Sequence, residues 1–284
     1  MLLTRVGAHA VEHIDAGSGP ALLALHGGMG GYDQSWLLAR SLFTDVGSHR
    51  VVAVSRPGYL RTPLTAGESA EEQADLFARL LDTLGIDRVL VTAVSAGGAS
   101  ALQFALRHRD RCRGLVLVSA VTGRLDINPN VRKRMRVMGA IAGIPGFPWL
   151  IRRRVARDPH AAASRSISDP AIRARTLADP EAAPLLQELQ IGVTRDMPRR
   201  LPGTFNDTRR LGELADVPLA DVRVPVLAIH GRDDDVVPYG HAERLAASSP
   251  SVKLVGIEGG QHLVLFTHMS IVRKAVWEFH STTA

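Results

Sequence analysis

Ser95 stands at the end of the apolar run Val91-Thr92-Ala93-Val94 and just ahead of Ala99-Ser100-Ala101-Leu102-Gln103-Phe104-Ala105-Leu106, with Ala93 two places before it and Gly97 two places after. A strand that turns sharply into a helix around one serine holds that hydroxyl out from the chain in a strained backbone conformation. The turn closes only if the residues two before and two after are nearly side-chain-free, because strand and helix pass within van der Waals reach there. The chemistry this suits is nucleophilic attack. A serine hydroxyl is a poor nucleophile near neutral pH, so it needs a base to take its proton, a group to orient that base, and N–H donors for the oxyanion that forms. A serine that merely caps a helix after a strand would give the same pentapeptide. The functional reading therefore depends on what else the chain supplies.

The elements that must position these groups are read from the period of the apolar residues. Ala21-Leu22-Leu23-Ala24-Leu25 and Val51-Val52-Ala53-Val54 are short apolar runs of the kind buried on both faces of a parallel sheet, and residues 11–14 predict an earlier strand. Ser69-Ala70-Glu71-Glu72 is a capping box, and Leu76, Phe77, Leu80, Leu81 and Leu84 recur behind it at helical spacing until Gly85. Further strands are expected at 115–119, 224–231 and 252–257, with a helix over 239–247. This alternation implies an α/β fold, a mostly parallel central sheet flanked by helices. From Arg124 to Val222 it stops, over a gap far longer than an ordinary connection. Within the gap Val131, Met135, Met138 and Ile141 share one helical face, Arg132, Lys133, Arg134 and Arg136 take the others, and Pro145 and Pro148 are expected to break the chain before Trp149. Such a basic amphipathic helix suits a membrane surface or the roof of a pocket, and the second is the reading adopted.

In its elbow, its loops and its order of elements the chain resembles the α/β-hydrolase family over nearly its full length. The resemblance implies an α/β-hydrolase core at 1–123 and 223–284 with an inserted helical cap, or lid, at 124–222. It makes Ser95 the nucleophile. The His26-Gly27-Gly28-Met29-Gly30-Gly31 run matches the family's His-Gly loop, implying Gly28 as one oxyanion-hole donor, with Met29 as its rival, and Ala96 as the other. Asp234, third after Gly231 in Gly-x-x-Asp-x-x-x-Pro, becomes the acid, with Asp233 and Asp235 beside it. His262, in Gly259-Gly260-Gln261-His262, becomes the base. The order Ser95, Asp234, His262 is that of this fold. The chain departs from the family pattern at Ala93 and Gln261, where glycine is usual, and at Ser55-Arg56-Pro57-Gly58-Tyr59-Leu60-Arg61, where serine replaces aspartate and Leu60 a glycine. His26 is expected to be structural and to pin the oxyanion loop from below; Asp33 and Gln34 are expected to cap the next helix.

Other classes are set aside on composition. The glycine-rich loop lacks the Lys-Ser/Thr ending and Gly-x-Gly-x-x-Gly spacing of nucleotide sites, and no cluster in metal-ligand spacing surrounds His262, so neither cofactor nor metal is expected. The net charge of +6 comes almost entirely from arginine, without interleaved aromatics, which reads as a solvated surface and not as a nucleic-acid site. Cys112 is the only cysteine, and no run is long enough to span a bilayer; a cytoplasmic enzyme without membrane insertion is expected, its oligomeric state open. Serine at the elbow, where relatives that open epoxides or displace halide carry aspartate, points to acyl chemistry. The expected activity is hydrolysis of a carboxylic ester of a small or medium, partly apolar substrate. The runner-up is C–C bond hydrolysis of the meta-cleavage type, which the elbow helix resembles equally well, although Leu263 stands where tryptophan is usual after the base. A non-catalytic ligand-binding relative is the third reading.

Overall fold

The chain begins with an antiparallel hairpin, β1 (Leu2–Val6) and β2 (His9–Ala16), and then alternates: β3 (Ala21–Leu25), α1 (Tyr32–Leu42), β4 (Arg50–Val54), α2 (Ala70–Thr83), β5 (Val89–Val94), α3 (Gly97–Arg107) and β6 (Cys112–Val118). Six helices follow before the next strand, α4 (Pro129–Ala142), α5 (Phe147–Arg157), α6 (Pro159–Ala163), α7 (Pro170–Ala178), α8 (Ala182–Gly192) and α9 (Met197–Gly212). Alternation resumes with β7 (Val226–Gly231), α10 (Gly240–Ser248), β8 (Val252–Ile257), the short α11 (Val264–Thr267) and α12 (Met269–Thr283). This computed structural model describes residues 1–126 and 129–283, without the side chains of 129–132, 134, 136, 138 and 283. Of the cap face read from the sequence, Val131 and Met138, with Arg132, Arg134 and Arg136 opposite, thus lie outside the described side chains.

All eight strands make one sheet in the order β1-β2-β4-β3-β5-β6-β7-β8, parallel from β4 onward. Leu25 pairs with Ala93, Val94 with Val118, Val118 with Ile229, and Gly231 with Ile257. Parallel strands in that register must all release their loops at one edge, so the loops after β3, β5, β7 and β8 converge. That edge carries the site.

Burial follows the apolar pattern. One face of the sheet packs Leu76, Phe77 and Leu80 of α2 and Leu102 of α3, and the other packs Leu37 and Leu38 of α1 with Val272 and Val276 of α12. Ala163, Ile167, Ala182, Leu185 and Leu186 from the run between β6 and β7 join the second cluster, so α6 and α8 share one core with the sheet. The capping box of α2 forms as its sequence predicts, Ser69 accepting the Glu72 N–H while Glu72 accepts that of Ser69. Two expectations need correction. Pro148 lies in the first turn of α5 and begins that helix, since an N–H is dispensable there. The N-cap of α1 is Gly31 with no side-chain cap; Asp33, inside the first turn, accepts the Gln34 N–H at 3.0 Å but is chiefly held in an ion pair, and the Gln34 side chain is engaged elsewhere, as described below. β1 has no clear sequence signal because Leu2 and Leu3 are exposed on a sheet edge. No described helix is long and apolar enough to cross a membrane.

Candidate active site

Ser95 sits between β5 and α3 with φ +54°, the left-handed strain that the turn demands. Its N–H donates to Val118 O, and its own carbonyl accepts from Gly98 and Val121, which locks the turn from both sides. A Cβ on Gly97 would lie 2.7 Å from His26 O and 2.8 Å from Leu25 O, so the glycine is a steric necessity, whereas Ala93 is accommodated at full burial. The same holds before the serine in space: a Cβ on Gly27 would meet Ser95 Cβ at 2.9 Å.

A continuous hydrogen-bonded chain leads away from the hydroxyl. His262 Nε2 lies 3.1 Å from Ser95 Oγ, and its Nδ1 lies 2.8 Å from Asp234 Oδ2 and 3.1 Å from Oδ1. Of the three adjacent aspartates, Asp234 alone points inward; its Oδ1 accepts the N–H groups of Val236 and Val237, both at 2.9 Å. Burial opposes its ionisation, but hydrogen bonds from His230 and His262, the charge of His262 and the Val237 N–H outweigh it and hold the carboxyl well below the usual carboxylate range. Such a chain can withdraw a proton from Ser95 and return it to a leaving group.

His230 has no role in the sequence reading. It lies at the end of β7, 1% exposed, with Nε2 bonded to Val237 O at 2.8 Å and 3.3 Å from Asp234 Oδ2. The signal was its place four residues before the acid, but a buried strand histidine gives no sign of where its ring turns.

The two expected oxyanion donors can be compared directly with their rival. The Met29 N–H donates to Thr204 Oγ1 at 3.0 Å and is spent, while no acceptor among the described residues takes the N–H of Gly28 or of Ala96. Ala96 also stands at the N-terminus of α3, whose positive dipole end favours developing negative charge. Beneath this loop lies His26, fully buried, its ring packed where a Gly30 side chain would be and its Nε2 accepting the Arg56 N–H at 3.0 Å. Burial and the nearby Arg56 charge push its pKa well down, so the ring is a neutral brace, not a base.

Two ion pairs of opposite sense bind α9 to the turn after β4 and to the first turn of α1. Arg56, 1% exposed, clasps Asp207 of α9 with both nitrogens, at 3.0 and 2.5 Å, and donates from Nε to His26 O at 2.8 Å; Tyr59 Oη donates to Asp207 as well. Arg200 of α9, 2% exposed, clasps Asp33 at 3.0 and 2.7 Å. Asp33 is thus an ion-pair partner, and Gln34 spends its amide on Met29 O at 3.2 Å. The serine that replaces aspartate in the 55–61 turn donates to Glu12, so an acidic group still serves that turn, from β2.

His241, in the first turn of α10, borders the site. Its Nδ1 accepts the Thr122 N–H at 3.2 Å, which only the neutral ring can do. Burial, then the charges of Arg244 and His230, lower its pKa to about 4. The unfolded chain binds the proton near pH 6.5 and the folded chain does not, so stability falls as pH drops from about 6.5 to about 4. We expect about 2 kcal/mol to be lost through this residue after allowance for solvent screening. Urea unfolding of wild type and His241→Asn across that window measures it, the variant losing the step.

Known proteins agree with this architecture. A family model described as the alpha/beta hydrolase fold matches residues 20–269. The chain is 29% identical over 264 residues to a putative carbamate hydrolase RutD of Pseudomonas savastanoi pv. phaseolicola, covering 89% of this chain and 90% of that protein. It is 27% identical over 236 residues to a 2-hydroxy-6-oxo-2,4-heptadienoate hydrolase of Pseudomonas putida, covering 81% and 78%. An alpha/beta hydrolase fold protein from Nakamurella multipartita superposes with a TM-score of 0.80 at 28% identity, over 98% of each chain. With the family's pattern spanning most of its length and the family's fold in its sheet, the chain belongs to the α/β-hydrolase fold family and is a hydrolase.

Proposed function

We propose that the chain hydrolyses carboxylic esters through an acyl-enzyme. Ser95 Oγ attacks the carbonyl carbon as His262 Nε2 takes its proton; Asp234 orients the imidazole and stabilises it once charged. The N–H groups of Gly28 and Ala96 hold the oxyanion, each such donor being worth about 3 kcal/mol of barrier. The C–O bond then breaks, His262 protonates the departing alcohol, and a water activated by the same histidine releases the acid. The helices between β6 and β7 serve as a cap over the site, with Thr204, Asp207 and Thr208 of α9 facing the space beside Ser95. The observation that carries this reading is the unbroken path from Asp234 through His262 to Ser95, with contacts of 2.8 and 3.1 Å, ending beside two uncommitted N–H groups. Release of nitrophenol from short acyl esters, together with fluorophosphonate labelling of wild type but not of Ser95→Ala, is the expected result. Absence of labelling across a range of pH would point instead to a binding protein.

A second reading is C–C bond hydrolysis, favoured by the Pseudomonas putida relative and by the likeness of the elbow helix. Turnover of a vinylogous 1,5-diketone with inertness to simple esters would put it first.

A further inference from the structure

Two chambers of unequal size meet at Ser95. The smaller, about 170 Å³, is bounded by Ser95, Gly27, Gly28 and His262 and walled by Leu37, Val94, Leu189, Val193, Leu263 and Phe266. Gln34 also borders it, but its Nε2 is held by Met29 O. The larger, about 820 Å³, runs from Ser95, Gly28 and Ala96 past Val121 and Leu211 to a rim carrying Arg124 and Arg244. His262 borders the small chamber and not the large one.

That asymmetry orients the substrate. When Ser95 Oγ adds to an ester carbonyl, the oxyanion turns toward Gly28 and Ala96, and the two remaining substituents of the tetrahedral carbon diverge. His262 Nε2, having taken the serine proton, must hand it to the oxygen that leaves, so the alcohol half lies on the side His262 borders. An apolar cavity of about 150 Å³ admits benzene, which bounds what a chamber of this size can take. We infer that the small chamber receives the alcohol half and the large chamber the acyl half, so that the substrates are esters of a larger acid with a compact apolar alcohol of roughly benzyl size. The inference rests on the ester reading above. It also sets this chain apart from a C–C hydrolase whose leaving fragment is polar, because the walls of the small chamber offer such a fragment no charged side chain other than a protonated His262.

Benzyl octanoate and heptyl phenylacetate test it, since they are isomers with leaving alcohols of similar acidity and exchanged halves. The expected result is a kcat/KM at least tenfold higher for benzyl octanoate. Val193→Phe, which fills the small chamber, is expected to lower kcat/KM for benzyl octanoate at least tenfold more than for methyl octanoate. Leu189→Ala, at a partly exposed position, is expected to raise the rate for naphthylmethyl octanoate relative to benzyl octanoate. Equal or reversed rates for the two isomers, or a Val193→Phe variant that loses both octanoates equally, would overturn the assignment of the halves while leaving an esterase. Failure of every ester to leave an acyl group on Ser95, read by mass spectrometry, would remove the ester reading and the assignment together.

Discussion

Ser95→Ala is expected to lower kcat/KM for a cleaved ester by about 10⁴-fold or more, His262→Ala to cost about as much, and the double variant to be scarcely worse than either. On the proposed mechanism the groups act as one unit. Without His262 the hydroxyl keeps its proton, and without the hydroxyl the imidazole has nothing to activate, so the second loss removes little that remains. Asp234→Asn is expected to cost about 10⁴-fold as well, since an amide in place of Oδ2 presents an N–H to His262 Nδ1 and favours the tautomer that cannot accept from Ser95. His230 Nε2, bonded to Val237 O and 3.3 Å from Asp234 Oδ2, is not expected to compensate. Steady-state kinetics on a nitrophenyl ester, with circular dichroism to verify folding, measures all four variants. Additive losses in the double variant would show that Ser95 and His262 work apart. The acid limb of the pH–rate profile does not belong to Asp234, whose depressed pKa keeps it ionised through the working range. Its contribution to stability is complete above about pH 4 and is lost as the pH falls through its lower folded-state value.

The second large effect is structural. Asp207→Ala is expected to destabilise the fold by about 3–5 kcal/mol, because it leaves the Arg56 guanidinium and the Tyr59 hydroxyl buried without their acceptor. Replacing both partners, Arg56→Met with Asp207→Leu, removes the uncompensated charge and is expected to recover part of that loss, the Tyr59 hydroxyl still lacking its acceptor. Activity is expected to remain low in the double variant, since Arg56 Nε and Nη2 also hold the carbonyls of His26 and Gly27 where the glycine-rich loop, the proposed oxyanion hole, leaves β3. Urea unfolding and kcat measured on the same preparations separate the two effects. Recovery of both stability and kcat would mean that the ion pair supports the fold without positioning the loop.

Residues that act through local backbone geometry were legible in the chain. Ser95 between Ala93 and Gly97 is legible because a tight strand-to-helix turn excludes side chains there, whatever the rest of the protein does. The parallel strands are legible because burial on both faces leaves a short, wholly apolar run. Asp234 and His262 could be named only through the order of motifs, since nothing in Arg232-Asp233-Asp234-Asp235 says which carboxylate turns inward; the Val236 and Val237 N–H groups settle its orientation. Asp33 read as a cap because local pattern is blind to Arg200, which is 167 residues away in sequence.

The amino-acid sequence by itself determined the α/β alternation, the strained serine and the glycine-rich loop, since each is dictated by sterics and burial within a few neighbouring residues. Tertiary structure alone decided that Met29 donates to Thr204 and leaves Gly28 uncommitted, that His230 lies against Asp234, that α9 is clasped by two ion pairs to Arg56 after β4 and to Asp33 in the first turn of α1, and that unequal chambers flank Ser95. Each of these joins side chains from distant elements, and the direction a buried side chain takes follows from packing between elements, which no local pattern encodes.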